Sequence, residues 1–129
     1  MTWDDLREPS PDFVTRVLEI VQTIPPGRVM TYGDIASELG SHPDLAGEAG
    51  AFGARLVGRV MSRFGSELAW WRVLRASGEP PRFHEAEAWA HYVAEGTPLS
   101  GSRERYRIDL ERARYRPGTD PSVQTSLNL

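Results

Sequence analysis

The sequence predicts a mainly α-helical domain that carries a few short strands. Apolar residues recur at helical spacing in three segments, 11–23, 32–39 and 51–64, and turn-forming residues bound each segment. Strand-like runs are short and lie between turns. With 129 residues, 40% of them hydrophobic, the chain is long enough to bury a core as one domain.

We expect this domain to cover 1–116. Residues 117–129 contain turn formers and small polar side chains and are predicted to form a mobile tail. No apolar run approaches the roughly 20 residues that span a bilayer, and the acidic N-terminus lacks the layout of a signal peptide. The sequence contains no cysteine, which excludes disulfides, thiolate zinc sites and cysteine nucleophiles. We therefore expect a cytoplasmic protein without membrane contact.

The first helix is predicted over 11–23, with Ser10 as its N-cap and Pro11 in its first position. The Ile-Pro-Pro-Gly turn at 24–27 ends it. A short extended stretch is predicted at 29–30.

A second helix is predicted over 32–39. Thr31 is its expected N-cap, and Asp34, three residues later, completes a shortened capping box. Gly40 ends the helix, and 41–50 is predicted to be a loop.

The third predicted helix, 51–64, separates its side chains by character. Its apolar stripe consists of Leu56, Val57, Val60, Met61 and Phe64. Arginines border the stripe at i, i+4 and i+8, namely Arg55, Arg59 and Arg63. The face away from the core carries small residues, namely Ala51, Ala54, Gly58 and Ser62. A nearly bare helix face edged by arginines can approach a nucleic-acid groove closely. A solvated amphipathic helix that packs its small residues within the chain is the alternative.

Downstream, a strand is predicted at 68–75, a turn at 77–81, a helix at 84–95 that stops at glycine, and a strand at 105–110. The first of these strands contains two adjacent tryptophans. Since a tryptophan is seldom fully buried, the pair predicts either one inward and one outward ring or a stacking wall in a pocket.

The charge distribution is uneven. The formal net charge of −3 argues weakly against nucleic acid, but residues 54–82 hold six arginines and two glutamates. This local excess of positive charge coincides with the third helix. The histidine pair His84 and His91 is seven residues apart, or about 10 Å on a helix, which is too far to share one metal ion. No metal site and no cofactor are predicted.

The order of helix 32–39, loop, helix 51–64 and short strand resembles a winged helix-turn-helix. Three segments narrow this likeness, namely Ile-Pro-Pro-Gly-Arg-Val-Met-Thr-Tyr-Gly-Asp-Ile-Ala at 24–36, Ala-Arg-Leu-Val-Gly-Arg-Val-Met at 54–61 and Ala-Trp-Trp-Arg-Val at 69–73. Their order and spacing resemble the DNA-binding domain of the O6-alkylguanine-DNA alkyltransferases, and more narrowly the alkyltransferase-like proteins, their non-enzymatic relatives.

The chain departs from the enzymes where their chemistry takes place. The enzymes carry Pro-Cys-His-Arg-Val, so Trp70 stands where the alkyl-accepting cysteine would be and Trp71 where the histidine would be. The enzymes also hold an asparagine in the preceding bend, whereas the only asparagine here is Asn128. Covalent catalysis needs a nucleophile activated by a base. The resemblance therefore implies a protein that is not an enzyme and has no catalytic residues.

The resemblance also implies site residues. DNA contacts are expected from Thr31, Tyr32, Ala54, Arg55, Gly58, Arg59 and Arg63. Arg55 matches an arginine that fills the hole left by an everted nucleotide, and Tyr32 matches a tyrosine that helps to turn that nucleotide. A lesion pocket is expected from Tyr32, Trp70, Trp71, Val73, Ser77 and Arg82. Which of the two tryptophans lines the pocket stays open.

The function that the resemblance implies is recognition of O6-alkylguanine in double-stranded DNA. The protein would dock through the minor groove, evert the base without alkyl transfer, and flag the site for nucleotide excision repair. It would act as a nucleoid-associated monomer, with nucleotide excision repair proteins as further partners. The alternatives are a winged-helix transcriptional regulator that reads undamaged DNA and a protein-interaction module. The small residues on helix 51–64 are poor readers of base edges, which disfavours the regulator.

Overall fold

The computed structural model describes residues 8–50 and 52–118. Its helices are α1 (Pro11–Thr23), α2 (Tyr32–Leu39), α3 (Ala46–Ala49), α4 (Gly53–Phe64), α5 (Glu85–Glu95) and α6 (Leu110–Ala113). Its strands are β1 (Met30–Thr31), β2 (Val73–Leu74), β3 (Leu99–Ser102) and β4 (Arg105–Ile108). This is the mostly helical architecture with short strands that the sequence predicts. The predicted mobile tail lies outside the described residues from 119 onward.

The caps of the first two helices confirm the sequence prediction. The Phe13 N–H donates to Ser10 Oγ at 3.2 Å, which satisfies one of the donors left open at the start of α1. At α2, the Asp34 N–H donates to Thr31 Oγ1 and the Thr31 N–H donates to Asp34 Oδ2, both at 3.0 Å. This reciprocal capping box fixes the direction in which the chain enters α2.

Helices α2 and α4 form the helix-turn-helix pair, and they pack closely. A Cβ atom on Gly53 would lie 2.8 Å from the Ala36 Cβ, so only glycine permits this approach. The pair packs with α1 around a common core. The fully buried side chains of this core include Phe13, Ile35, Leu39, Leu56 and Val60.

Two small sheets join distant parts of the chain. β1 and β2 pair in parallel, with Met30 opposite Val73 and Thr31 opposite Leu74. β3 and β4 form an antiparallel hairpin over a second core cluster that includes Tyr92 and Ile108. The parallel pair holds the start of α2 beside the double-tryptophan segment.

The predicted strand 68–75 is wrong over most of its length. Trp70–Arg72 forms a 3-10 turn, and only Val73–Leu74 is extended. The Trp70 N–H donates to the Leu68 carbonyl at 2.8 Å, and the Arg72 N–H donates to the Ala69 carbonyl at 3.1 Å. This turn lets the adjacent indoles pack in different places, which an extended strand would not allow.

Other differences are smaller. The predicted loop 41–50 contains α3, which follows the buried side chain of Leu45. The helix predicted from 51 begins at Gly53, and Phe64, assigned to its apolar stripe, is 48% exposed at its end. β3 was not predicted, because Leu-Ser-Gly-Ser has little strand propensity and is held by its pairing with β4.

An ion pair of low exposure fastens α5 to the rest of the fold. The Arg72 guanidinium donates to both Glu95 oxygens, at 2.5 and 3.1 Å, and to the Ile24 carbonyl at 2.9 Å. The Gly27 N–H, in a turn with φ of 84°, also donates to Glu95 at 3.0 Å. Burial alone would raise the pKa of Glu95, but these donors hold that pKa below its usual range.

Within the described ranges, no helix is both long and apolar enough to cross a membrane.

We predict that Glu95→Gln lowers the free energy of unfolding by about 3 kcal/mol, because it leaves Arg72 without its charge partner. Since the pKa of Glu95 is lowered in the folded state, its contribution is present above the ordinary glutamate value of 4.5 and is lost as the pH falls through the lower folded value. Urea unfolding at several pH values checks this. Glu19→Gln, at an exposed pair on α1, is the control. Equal losses in both variants would contradict the prediction.

Candidate nucleic-acid interface

Helix α4 presents a face with little side-chain bulk to solvent. Ala54 is exposed, and a Cβ atom on Gly58 would meet nothing within 4 Å. The exposed Arg55 lies at the border of this face. Gly58 is thus not required by packing inside the fold, in contrast to Gly53. Ala51, which was predicted to share this face, lies outside the described residues. The remaining small residues leave room for an external surface to approach the helix backbone.

A cleft of about 590 Å³ opens beside this face. Its lining consists of Tyr32, Gly58, Met61, Ser62, Ser66, Trp70, Pro81, Arg82, Phe83, His84 and Glu87. We call it the Trp70 cleft. Its volume falls within the roughly 300–1,000 Å³ of typical small-ligand sites. It brings together three residues that the sequence assigned to a lesion pocket, namely Tyr32, Trp70 and Arg82.

The two tryptophans occupy different environments. Trp70 is half-buried in the cleft wall, 5.4 Å between ring centroids from His84. Trp71 stacks face to face on His91, with centroids 3.6 Å apart and planes 5° from parallel. The Tyr92 hydroxyl donates to the Trp71 carbonyl at 2.6 Å. The buried Trp71 indole N–H makes no hydrogen bond of ordinary geometry. It still interacts with the Glu95 carboxylate, and this interaction is one of those that lower the pKa of Glu95. Of the two rings, Trp70 alone lines the cleft.

Tyr32 borders the cleft from the first turn of α2. Burial raises the pKa of its hydroxyl above the usual range, and the Arg75 guanidinium acts in the opposite direction. The hydroxyl therefore stays protonated at neutral pH and can donate a hydrogen bond. Thr31, predicted to contact DNA, is buried and uses its side chain to cap α2.

The structure does not bring the other three predicted pocket residues into the cleft lining. Trp71 is stacked against α5, as described above. Val73 is buried in β2 as part of the core. Ser77 is exposed, and its hydroxyl donates to Glu79 at 2.7 Å. The 3-10 turn and the short β2 direct these side chains out of the Trp70 cleft.

The local excess of arginines divides between the interior and the surface. Arg72 is bound to Glu95, and Arg75 donates to the Pro80 carbonyl at 3.0 Å and pairs with Glu79. On α4, Arg63 makes a two-pronged ion pair with Glu8, whose pKa is lowered mainly by this hydrogen bond. The cleft and the α4 face therefore carry a smaller positive charge than the sequence count indicates.

Several lining residues were missed by sequence reasoning. Met61 was assigned to the core, and Ser62 to the bare helix face. Pro81, Phe83 and Glu87 had no signal, because the path of 80–84 depends on contacts with α5 and the hairpin. His84 was considered only as a metal ligand, and among the described residues no group of three or more His, Asp or Glu could hold a metal.

A larger surface cleft of about 740 Å³ lies between the 75–85 segment and the β3–β4 hairpin. Its lining alternates charges, with Arg75, Glu79, Glu85, Glu104 and Arg107 among its members. It contains neither an exposed face of α4 nor a tryptophan. The Trp70 cleft is therefore the better candidate for a site, despite its smaller volume.

Comparison with known proteins places these features in a family. Residues 12–95 match the family described as 6-O-methylguanine DNA methyltransferase, DNA binding domain. The chain is 38% identical over 119 residues to the DNA base-flipping protein of Escherichia coli, an alignment that covers 87% of this chain and 81% of the relative. A DNA base-flipping protein of Vibrio parahaemolyticus is 35% identical over 69 residues, covering 52% and 60%.

Solved structures of alkyltransferase-like proteins also resemble this chain. The crystal structure of S. pombe Atl1 in complex with damaged DNA containing O6-carboxymethylguanine matches with a TM-score of 0.66 and 26% identity. It covers 84% of this chain and 99% of that chain. A second S. pombe structure, of an ATL protein in complex with DNA, matches with a TM-score of 0.68 and the same identity and coverage.

We predict that Gly58→Ala raises the free energy of unfolding by about 0.5–1 kcal/mol, because alanine is the better helix former and its methyl group meets open space. The matched change Gly53→Ala is expected to lower it by about 1–2 kcal/mol, because the added methyl group overlaps Ala36. Thermal and urea unfolding of both variants measure the difference. A loss of stability in the first variant would show that the α4 face is packed after all.

Proposed function

We infer that the chain recognises O6-alkylguanine in duplex DNA and holds the everted base without removing the alkyl group. The chain belongs to the 6-O-methylguanine DNA methyltransferase DNA-binding family, and its similarity to DNA base-flipping proteins and to S. pombe Atl1 identifies it as an alkyltransferase-like protein. The observation that carries this proposal is the position of Trp70. Its ring forms a wall of a cleft that opens beside the bare face of α4. An everted purine leaving the duplex at α4 would reach that wall.

Stacking on an indole supplies affinity without reading sequence. A base on an aromatic side chain gains about 1–3 kcal/mol, and every base has a face that can stack. This suits detection of a damaged guanine in any sequence context. The protonated Tyr32 hydroxyl, at the cleft border, supplies a polar contact beside the stack.

The exposed face of α4 supports docking in the minor groove. Ala54 and Gly58 leave its backbone accessible, and Arg55 extends from the same exposed surface. We propose that the Arg55 guanidinium fills the gap left in the base stack, since a planar cation stacks well between bases. Arg59 and Arg63 would neutralise phosphates, with Arg63 exchanging Glu8 for a phosphate oxygen.

Retention of the alkyl group follows from the chemistry of the residues. Alkyl transfer by the enzymes of this family needs a cysteine thiolate, and the sequence has no cysteine. A protein that binds the lesion without repairing it leaves the repair to another pathway. We propose that the bound complex flags the site for nucleotide excision repair.

We predict that a duplex with one O6-methylguanine binds more tightly than the matched guanine duplex, and that Trp70→Ala reduces this preference by about 1–3 kcal/mol. Fluorescence anisotropy titrations give the affinities, and a 2-aminopurine next to the lesion reports unstacking. Trp70→Phe, which keeps an aromatic face, is the matched control and should retain most of the preference. Equal affinity of the wild-type protein for both duplexes would refute lesion recognition.

We predict that Arg55→Ala removes most of the lesion preference and the 2-aminopurine signal together. Arg59→Ala is expected to weaken binding to both duplexes alike and to reduce the salt slope by about one. Arg16→Ala, on the exposed side of α1, is the control without effect. A defined footprint on undamaged DNA, unchanged by Arg55→Ala, would instead favour a regulator.

A further inference from the structure

We propose that Arg114 is a positioning residue for base eversion, because its ion pair with Asp34 fixes the first turn of α2 and with it Tyr32. This inference rests on the proposed function, in which Tyr32 borders the cleft that receives the everted base. It gives a role in that function to a residue that lies outside both α4 and the lining of the Trp70 cleft.

A short segment at the end of α6 lies alongside the chain that leads into α2. We call Ala113, Arg114 and Tyr115 the strap. The Val29 N–H donates to the Ala113 carbonyl at 3.0 Å, and the Tyr115 N–H donates to the Val29 carbonyl at 2.7 Å, in a parallel bridge. The Arg28 guanidinium donates to the carbonyls of Ala113 and Arg114, at 3.0 and 2.6 Å. The strap therefore holds the backbone immediately before β1.

The Arg114 side chain extends this hold to the other side of Tyr32. Its Nε donates to Asp34 Oδ2 at 3.0 Å, and the same oxygen accepts the Thr31 N–H of the capping box, also at 3.0 Å. Because Tyr32 lies between Thr31 and Asp34 in the chain, it is held by the bridge before β1 and by the carboxylate after it. Arg114 and Asp34 are 80 positions apart, so this restraint comes from the fold and not from helix propensity.

The exposure of the ion pair indicates that its effect is local. The Arg114 and Asp34 side chains are 30% and 28% exposed, so solvent weakens their attraction and the pair contributes only modestly to global stability. Tyr115, by contrast, is buried in the core cluster against which Tyr32 packs, and it secures the strap independently of Arg114. Loss of the Arg114 side chain should therefore loosen the first turn of α2 and leave the fold intact.

A tyrosine that helps to turn a nucleotide out of the stack must resist displacement by the DNA. A group that is held in its productive geometry beforehand avoids the cost of being ordered on binding. Tyr32 is half-buried, and the next residue, Gly33, is exposed, with only Thr31 Oγ1 within 4 Å of an added Cβ atom, at 3.8 Å. Packing thus leaves this turn open on one side, and the contact between Arg114 and Asp34 supplies the missing restraint.

The first test measures the turn itself, without DNA. In Arg114→Ala, hydrogen exchange at the Thr31 and Asp34 amides is expected to be about tenfold faster than in the wild type, because both N–H groups belong to the capping box. The buried amides of α4 should exchange as before. Arg112→Ala, at an exposed arginine on α6, is the matched control and should change neither set. Unchanged exchange at α2, or equal acceleration throughout the domain, would overturn the positioning role.

The second test measures eversion. Arg114→Ala is expected to reduce the preference for the O6-methylguanine duplex about fivefold and to lower the 2-aminopurine signal, while affinity for the guanine duplex stays within about twofold. Arg114→Lys keeps a cation that can donate to Asp34 and should recover most of the preference. Asp34→Asn keeps an oxygen for the Thr31 N–H but removes the charge that binds Arg114, and it should reproduce the loss.

A double-mutant cycle with Tyr32→Ala separates positioning from a general effect. If Arg114 acts through Tyr32, adding Arg114→Ala to Tyr32→Ala costs no further preference. Additive losses, equal losses for both duplexes, or an unchanged preference in Arg114→Ala would overturn the positioning role while leaving lesion recognition intact. A wild-type protein that binds both duplexes equally would overturn the proposed function and this inference with it.

Discussion

The ion pair between Arg72 and Glu95 is the interaction on which the arrangement of the cleft depends. Its guanidinium joins the turn after α1, the double-tryptophan turn and the end of α5, and it adds a charged contact to the stacking of Trp71 on His91. Because Arg72 directly follows the tryptophans, fixing its side chain fixes their backbone. The pair is partly desolvated, so loss of one partner is costly because it leaves the other charge without its partner.

From that anchor the adjacent indoles take on separate tasks. The Trp71 ring stacks on His91, and the Arg72 guanidinium lies over that ring, with its Cζ 5.6 Å from the ring centroid. Trp71 therefore supports the backbone that carries Trp70. Trp70 meets Trp71 edge to face, with centroids 5.6 Å apart, and contacts both core clusters while one side remains in the cleft. A stacking surface backed in this way needs little reorganisation when a base arrives, which favours binding.

Features fixed by neighbours in the chain were predictable from the sequence. The Ser10 cap, the Thr31–Asp34 capping box and the apolar stripe of α4 depend on spacings of three or four residues. Features fixed by distant residues were not. Glu95 lies 23 positions beyond Arg72, and nothing in the local pattern pairs them. The 3-10 turn at Trp70 results from packing between two clusters, and the ion pair of Arg114 with Asp34 joins residues 80 positions apart. The family resemblance predicted Trp70 and Tyr32 as pocket residues, and both line the Trp70 cleft, but it could not show where Trp71, Val73 and Ser77 would lie.

The parallel pairing of β1 with β2 sets a fixed distance across a long excursion of the chain. Met30 pairs with Val73 and Thr31 with Leu74, and Tyr32 follows directly on Thr31, so this ladder sets where Tyr32 lies relative to Trp70. Between the two strands the chain passes through α2, α3 and α4, and Leu45 and Ala49 at α3 are buried in the core. A slip of one residue in the two-residue ladder would displace the tyrosine from the tryptophan and deform the cleft, so the register of this short pairing is expected to be held fixed in evolution.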